Sequence, residues 1–297
     1  MQLTINQFEV LTTIEENEKK LSQRDIAKET KLSLGTINKV ISELLENKLI
    51  DKENAITQNG LKVLEPYRVK RAIFLAAGFG SRLVPITLNT PKPMVLVNGK
   101  RIIETLLDAV VKAEIEEIYI VTGYLSEQFE ILKKKYPQIK FIENNMYNEA
   151  NNISSAYLVR NLIKNAYVLE SDLYLYNPKL IRKYEYHSNF LGYYIDRSDD
   201  WCIEVKNGII TKEKIGGINC YQMVGISYYD ENDGQNIEKD MEEVFNSPGG
   251  KGKYWEQVIL DICKKNYNIY LRECQKEDII EIDTFNELKA IDKSYDV

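Results

Sequence analysis

The stretch Leu75-Ala76-Ala77-Gly78-Phe79-Gly80-Ser81-Arg82-Leu83 sets an arginine inside a glycine-rich turn, and Lys92 follows between Pro91 and Pro93. Glycines at 78 and 80 let backbone N–H groups approach a phosphate chain. Arg82 adds a planar, permanently charged fork for phosphate oxygens, and Lys92 adds a point charge. The two prolines restrict the backbone on either side of that lysine. Such a set would neutralise a triphosphate and the charge that develops when its α-phosphorus is attacked. Two common nucleotide motifs do not fit. Leu83 stands where a dinucleotide fingerprint needs its third glycine, no convincing acid follows about 20 positions on, and the lysine-ended phosphate loop is absent.

Two carboxylates complete the set. Asp172 follows the apolar run Ala166–Glu170, and Asp283 ends the run Ile279–Asp283. Acids at strand ends, drawn from distant segments, can hold one Mg²⁺ against α-phosphate oxygens. For Asp283 a helix cap is the competing reading, since Phe285–Ile291 is helical in pattern. Nothing in the chain calls for a protein nucleophile. The one histidine, His187, has polar neighbours and reads as a surface or loop residue. Cys202, Cys220, Cys263 and Cys274 show no CxxC spacing, which suits reduced thiols in a cytoplasm. An acceptor phosphate attacking in line, with pyrophosphate leaving, needs only positioning and charge stabilisation.

The elements that must position these residues alternate. Arg71–Ala76, Glu117–Thr122, Lys140–Glu143 and Ala166–Glu170 read as buried strands. Ile102–Ala113, Ser126–Tyr136 and Ile153–Ile163 read as the helices between them. This predicts βαβ units and a doubly wound α/β sheet. After about Ile181 the pattern is mixed and β-rich, with helices near Ile237–Phe245 and Trp255–Cys263. No run approaches the roughly 20 apolar residues of a membrane span, so no membrane insertion is expected, and the N-terminus has no secretory pattern.

Residues 1–68 differ. Phe8, Val10, Leu11 and Ile14 have helical spacing. Ser22 with Asp25 predicts a capping box opening a second helix, and Ser33 caps a third whose inner face carries Ile37, Val40, Ile41, Leu44 and Leu45. Leu49–Thr57 reads as two short strands about a polar turn. The pattern resembles a winged helix-turn-helix domain of bacterial regulators, joined at Tyr67–Lys70 to a second domain spanning 69–297. Thr36, Asn38 and Lys39 would be its DNA-facing side chains. Against DNA stands the charge: ten lysines and arginines meet eleven acids in residues 1–68, leaving no excess to neutralise phosphates. A dimerisation or intramolecular regulatory role stays open beside DNA binding.

From about Arg71 onward the chain resembles the nucleotidyltransferases that join a nucleoside triphosphate to a sugar phosphate or alcohol phosphate. The string Ala76–Pro93, AAGFGSRLVPITLNTPKP, carries that resemblance. Gly123-Tyr124, Glu127-Gln128-Phe129, Asn151-Asn152, Tyr157-Leu158, Glu170–Tyr174, Tyr254-Trp255 and Glu281–Thr284 look like the bacterial phosphocholine cytidylyltransferases. The resemblance implies a Rossmann-like mixed sheet of the nucleotide-diphospho-sugar transferase type. It implies nucleotide contacts from Leu75, Ala76, Ala77, Gly78, Gly80, Ser81, Arg82, Lys92 and Gly123, and Asp172 and Asp283 as Mg²⁺ ligands. Arg82, Lys92, Asp172 and Asp283 are then the catalytic set. The choice of CTP comes from the resemblance alone. The N-terminal domain departs from the simplest members, which begin at the first strand.

Acceptor choice turns on aromatic residues. A trimethylammonium head has no N–H to donate, so ring faces and a nearby negative charge must hold it. Trp201, Tyr254 and Trp255 are the candidates, with Asp199, Asp200 or Glu256 for the charge. Adjacent helix residues point apart, so one of Tyr254 and Trp255 belongs to the core. Asn151 and Asn152 could instead serve a sugar phosphate, whereas 2-aminoethylphosphonate would want a carboxylate pair and fewer rings. The leading expectation is an Mg²⁺-dependent transfer from CTP to phosphocholine, giving CDP-choline and pyrophosphate, with Asn152 beside the acceptor. The expectation from another class is a transcription regulator whose transferase-like domain senses a metabolite. Retention of all four catalytic-type residues argues for the enzyme.

Overall fold

A computed structural model describes residues 1–17 and 19–296. It divides into two compact units. The first is the described part of Met1–Arg68 together with Tyr184–Tyr186; the second is Val69–Lys183 with the described residues from His187 on. Three residues from far along the chain belong to the first unit.

In the first unit, helices α1 (Ile5–Glu16), α2 (Gln23–Thr30), α3 (Leu34–Glu46) and α4 (Gln58–Leu64) surround Phe8, Leu11, Ile26, Ile37, Val40 and Leu44. The cap signals act as read: Ser22 and Asp25 exchange backbone bonds, and Ser33 accepts from the Thr36 N–H. The wing is slighter than expected. Only an isolated antiparallel bridge joins Ile50 to Ile56, because Asp51 draws the intervening turn tight by accepting from the Glu53 and Ala55 N–H groups. The rings of Tyr67 and Tyr186 stack at 5.3 Å and 8°, and Phe8 lies 5.2 Å from each. Tyr184 is buried in the same cluster.

The second unit is a seven-stranded mixed sheet. Its strands are β1 (Arg71–Ala76), β4 (Glu117–Thr122), β5 (Ile139–Glu143), β6 (Ala166–Glu170), β8 (Asn189–Lys206), β9 (Ile209–Tyr229) and β10 (Tyr270–Glu273), in the order β10-β8-β9-β6-β1-β4-β5. Two small ribbons pair β2 (Leu96–Val97) with β3 (Lys100–Arg101), and β7 (Leu173–Leu175) with β11 (Ile279–Glu281). Strands β6, β1, β4 and β5 run parallel, so their carboxyl ends open on one edge. That edge is where open α/β sheets bind ligands. The core explains the continuous apolar run of β1. Ala72 and Phe74 pack on one face against α5 (Ile102–Lys112), and Ile73 packs on the other against α6 (Ile153–Val159) and α7 (Glu231–Asn246).

Three helical expectations need correction. Ser126–Lys134 winds as a 3₁₀-helix, entered through Leu125 in the left-handed conformation. The helix from Ile153 is α-helical only to Val159, and Arg160–Leu162 tightens into a 3₁₀ turn. Trp255 opens α8 (Trp255–Gln257), which widens at once into a π-helical turn over Val258–Ile262. The last helix, α9 (Phe285–Ile291), is where its pattern placed it.

Candidate active site

Strand β1 delivers the chain to the open edge at Ala76. The turn that follows is fixed by Gly80, whose φ of 63° favours glycine, and a Cβ there would lie 2.8 Å from Cβ of Lys92. Thr87 donates its hydroxyl to the Gly80 carbonyl at 2.8 Å, and buried Leu83 anchors the far side of the turn. Leu75, Ala76, Ala77, Gly78, Gly80, Ser81, Arg82 and Lys92 all line one cavity of about 660 Å³. Gly123, expected beside them, does not line it. A Cβ at Gly123 would meet the Ala77 carbonyl oxygen at 2.8 Å and the Tyr147 ring at 2.9 Å, so its bareness lets β4 close on the turn. Tyr124 and Gln128 continue that work: their side chains donate to the carbonyls of Thr87, Leu88 and Asn89.

The β7–β11 ribbon brings the distant acids together. Glu281 pairs with Leu173, and the Ile282 N–H donates to the Asp172 carbonyl. Lys92, only 8% exposed, donates to Asp172 Oδ2 at 2.8 Å and Asp283 Oδ1 at 2.7 Å. Arg82 donates to the same Asp283 oxygen at 2.8 Å. Burial pulls the lysine's pKa down, but the two carboxylates outweigh it and hold the ammonium above its ordinary value. The cap of α9 is Thr284, with Glu287 closing the box, so Asp283 is not spent as the cap.

The oxygen cluster that could hold a divalent cation shares only Asp172 with the expected pair; Asp283 is outside it, with its Oδ1 bound by Lys92 and Arg82. Carboxylate oxygens of Glu170, Asp172 and Glu281 lie within 4.8 Å of one another. Asp172 Oδ1 is buried and has no hydrogen-bond partner among the described residues. Burial, then the charges of Asp172 and Asp283, push Glu281 well above its ordinary value. Hard oxygen donors crowded this closely fit Mg²⁺. Glu170 and Glu281 were missed as candidates, although both stand inside the quoted strings Glu170–Tyr174 and Glu281–Thr284.

The far end of the cavity is acidic and aromatic. A bulge between Ser198 and Trp201 breaks the β8–β9 register and turns Trp201 toward the Tyr254 ring, 5.7 Å away at 69°. Asp200, Glu213, Glu256 and Asn152 line this end, and so do Trp201 and Tyr254. Trp255 does not: it is 1% exposed, packed against Phe190 and Tyr229 in the core, whereas Tyr254 is 43% exposed. Its backbone N–H donates to Asn152 Oδ1 at 2.9 Å, so Asn152 both lines the cavity and anchors α8. Asp199 is exposed and does not line the cavity either. Glu170 and Glu256 stand side by side, and burial followed by the Glu256 charge raises Glu170 well above its ordinary value.

In the first unit, Asn38 and Lys39 on α3 are exposed and Thr36 is half-buried, with Lys39 loosely paired to Glu43 at 3.9 Å. Among the described residues no helix is long and apolar enough to cross a membrane.

Comparison with known proteins gives matches for both units. Residues 71–191 match the nucleotidyl transferase family model, and residues 1–57 match the MarR family model. The 2-aminoethylphosphonate cytidylyltransferase of Lancefieldella rimae is 34% identical over 233 residues, 75% of this chain and 92% of that protein. The choline-phosphate cytidylyltransferase of Streptococcus pneumoniae is 32% identical over 228 residues, 75% of this chain and 97% of that protein. A solved structure of the CTP:phosphocholine cytidylyltransferase from Streptococcus pneumoniae superposes with a TM-score of 0.71 at 30% identity, covering 76% of this chain and 99% of that one.

Proposed function

The chain belongs to the nucleotidyl transferase family, as a cytidylyltransferase with a MarR-type winged helix at its N-terminus, and we propose that it transfers cytidylyl from CTP to phosphocholine, giving CDP-choline and pyrophosphate. One observation carries this reading: a single cavity has a glycine turn with two cations at one end and acids around a two-ring corner at the other. Backbone amides of the Gly78–Arg82 turn and the Arg82 guanidinium take the triphosphate. Lys92, held charged and nearly immobile by two carboxylates, faces the α-phosphate, where negative charge grows as the acceptor oxygen attacks. The oxygen–Pα bond forms as the Pα–O bond to the β-phosphate breaks. Trp201 and Tyr254 hold the trimethylammonium, with Glu256 and Asp200 behind them.

Asp172, with Glu170 and Glu281, would hold Mg²⁺, while Asp283 holds Lys92 and Arg82. The ion supplies charge neutralisation at the phosphates. A second acceptor, 2-aminoethylphosphonate, is favoured by the number of acids that share this end with only two rings. The four free thiols fit a cytoplasmic setting. For the winged helix, Thr36, Asn38 and Lys39 are the residues it would offer to DNA; a gel shift with the gene's own upstream DNA, with and without CDP-choline, tests that role.

The experiment for the enzyme is pyrophosphate release with Mg²⁺, for CTP, UTP, GTP and ATP against phosphocholine, 2-aminoethylphosphonate and glucose 1-phosphate. An optimum at CTP with phosphocholine is expected. A clear preference for glucose 1-phosphate would sink the cationic-acceptor reading.

A further inference from the structure

Glu213 lies on β9 opposite Ile203 of β8 and lines the same end of the cavity as Trp201, Tyr254 and Glu256. Its Oε2 is closed off from solvent and has no hydrogen-bond partner among the described residues. It is not part of the Glu170–Asp172–Glu281 oxygen cluster. The charged groups that act on it are acids, Glu256 and Asp261; burial first, and then those two charges, push its carboxyl up to about 7. Buried acceptors in folded proteins are nearly always paired, and leaving one unpaired is costly. A positively charged N–H donor would satisfy this oxygen and also relieve the repulsion from Glu256 and Asp261.

The two rings and this oxygen make different demands on a ligand. A trimethylammonium is served by Trp201 and Tyr254 and offers the oxygen nothing, since none of its hydrogens sits on nitrogen. A primary ammonium has three N–H donors, which ring faces alone cannot satisfy.

We infer that Glu213 is a specificity-determining residue whose carboxylate accepts an N–H from the ammonium of a primary-amine alkyl phosphate or phosphonate, so that this acceptor class is turned over by the same site. This rests on the cytidylyl-transfer reading. The chemistry is unchanged: a phosphate or phosphonate oxygen bonds to Pα, pyrophosphate leaves with the broken bond's electron pair, and the ammonium keeps its protons.

The test follows pyrophosphate release from CTP and Mg²⁺ by the full chain, with phosphoethanolamine, 2-aminoethylphosphonate and phosphocholine as acceptors. The parent should turn over at least one of the two primary amines. Glu213→Gln should lower kcat/KM for that amine on the order of ten-fold more than for phosphocholine, the loss expected of one charge-assisted hydrogen bond. Glu213→Asp, which keeps the carboxylate, should recover part of the difference and guards against a folding artefact. Equal losses for amine and quaternary acceptors would overturn the assignment, because a merely structural or bulk-charge role makes no such distinction. Turnover of phosphocholine alone would also overturn it, yet leave cytidylyl transfer standing. Silence with every acceptor would remove the transfer reading itself, and this inference with it.

Discussion

The two ends of the cavity solve opposite problems with opposite means. At the glycine turn the cations are rigidly held: Lys92 is buried between two carboxylates, and Arg82 leans on one of them. At the ring corner the charge is negative and underemployed: Glu213 has a free buried oxygen, and Glu170 is raised by its own burial and by the Glu256 charge. A ligand that is anionic at one end and cationic at the other can enter in only one sense. Under the proposed reading the first end serves the transition state, because its cations would face the phosphate where charge develops, and the second serves recognition of the head that does not react.

The largest expected effects therefore belong to the first end. Lys92→Ala and Asp172→Asn should each lower kcat by about 10³-fold or more, in keeping with loss of a preorganised electrostatic group. Steady-state rates on variants shown folded by circular dichroism check this; near-parental turnover in either would erase the contrast between the ends. At the second end, Trp201→Ala and Tyr254→Ala should raise KM for phosphocholine by roughly 3- to 30-fold, the value of a cation–π contact, and change KM for CTP little. A matching rise in KM for CTP would mean that these rings do not act on the head.

The smallest effect concerns stability. The folded value of Glu213, about 7, lies above its ordinary 4.5. A raised acid holds its proton more tightly when folded, so its contribution is intact below 4.5 and is lost as pH rises through 7. Glu213→Gln removes that loss. Without ligand, the variant should gain on the order of 1–2 kcal/mol over the parent at pH 8, after allowance for solvent screening, and nothing near pH 4.5. Urea unfolding at the two pH values measures it. No gain at pH 8 would show that the second end is not held under strain.

These ends were unequally legible in the sequence. The glycine turn is one contiguous string whose backbone demands are local, so its residues could be named and the structure brings them together. Asp172 and Asp283 were legible as acids ending apolar runs, and the β7–β11 register supplies the missing proximity. For Gly123, a glycine's bareness in the sequence does not say what it faces, and here it faces the Ala77 carbonyl. The choice between Tyr254 and Trp255 could not be made by periodicity, since α8 lasts three residues before it widens. Glu213 carries no signal at all. It sits in Thr211-Lys-Glu-Lys-Ile215, where alternation marks a face but not that the face closes over a cavity. Of its partner elements, β8 is the other arm of the same hairpin, but α8 begins about 40 residues further on.

Tyr184–Tyr186 gives the first unit a birth order that its position at the N-terminus conceals. Residues 1–68 leave the ribosome first, but the rings that complete their core against Phe8 and Tyr67 are encoded roughly 120 residues later, some ten seconds of synthesis at ~5–20 residues per second. The winged helix is thus begun before the transferase and finished in its midst. A nascent chain must carry this domain incomplete past the glycine turn and the strand that ends at Glu170 before its last aromatic ring arrives.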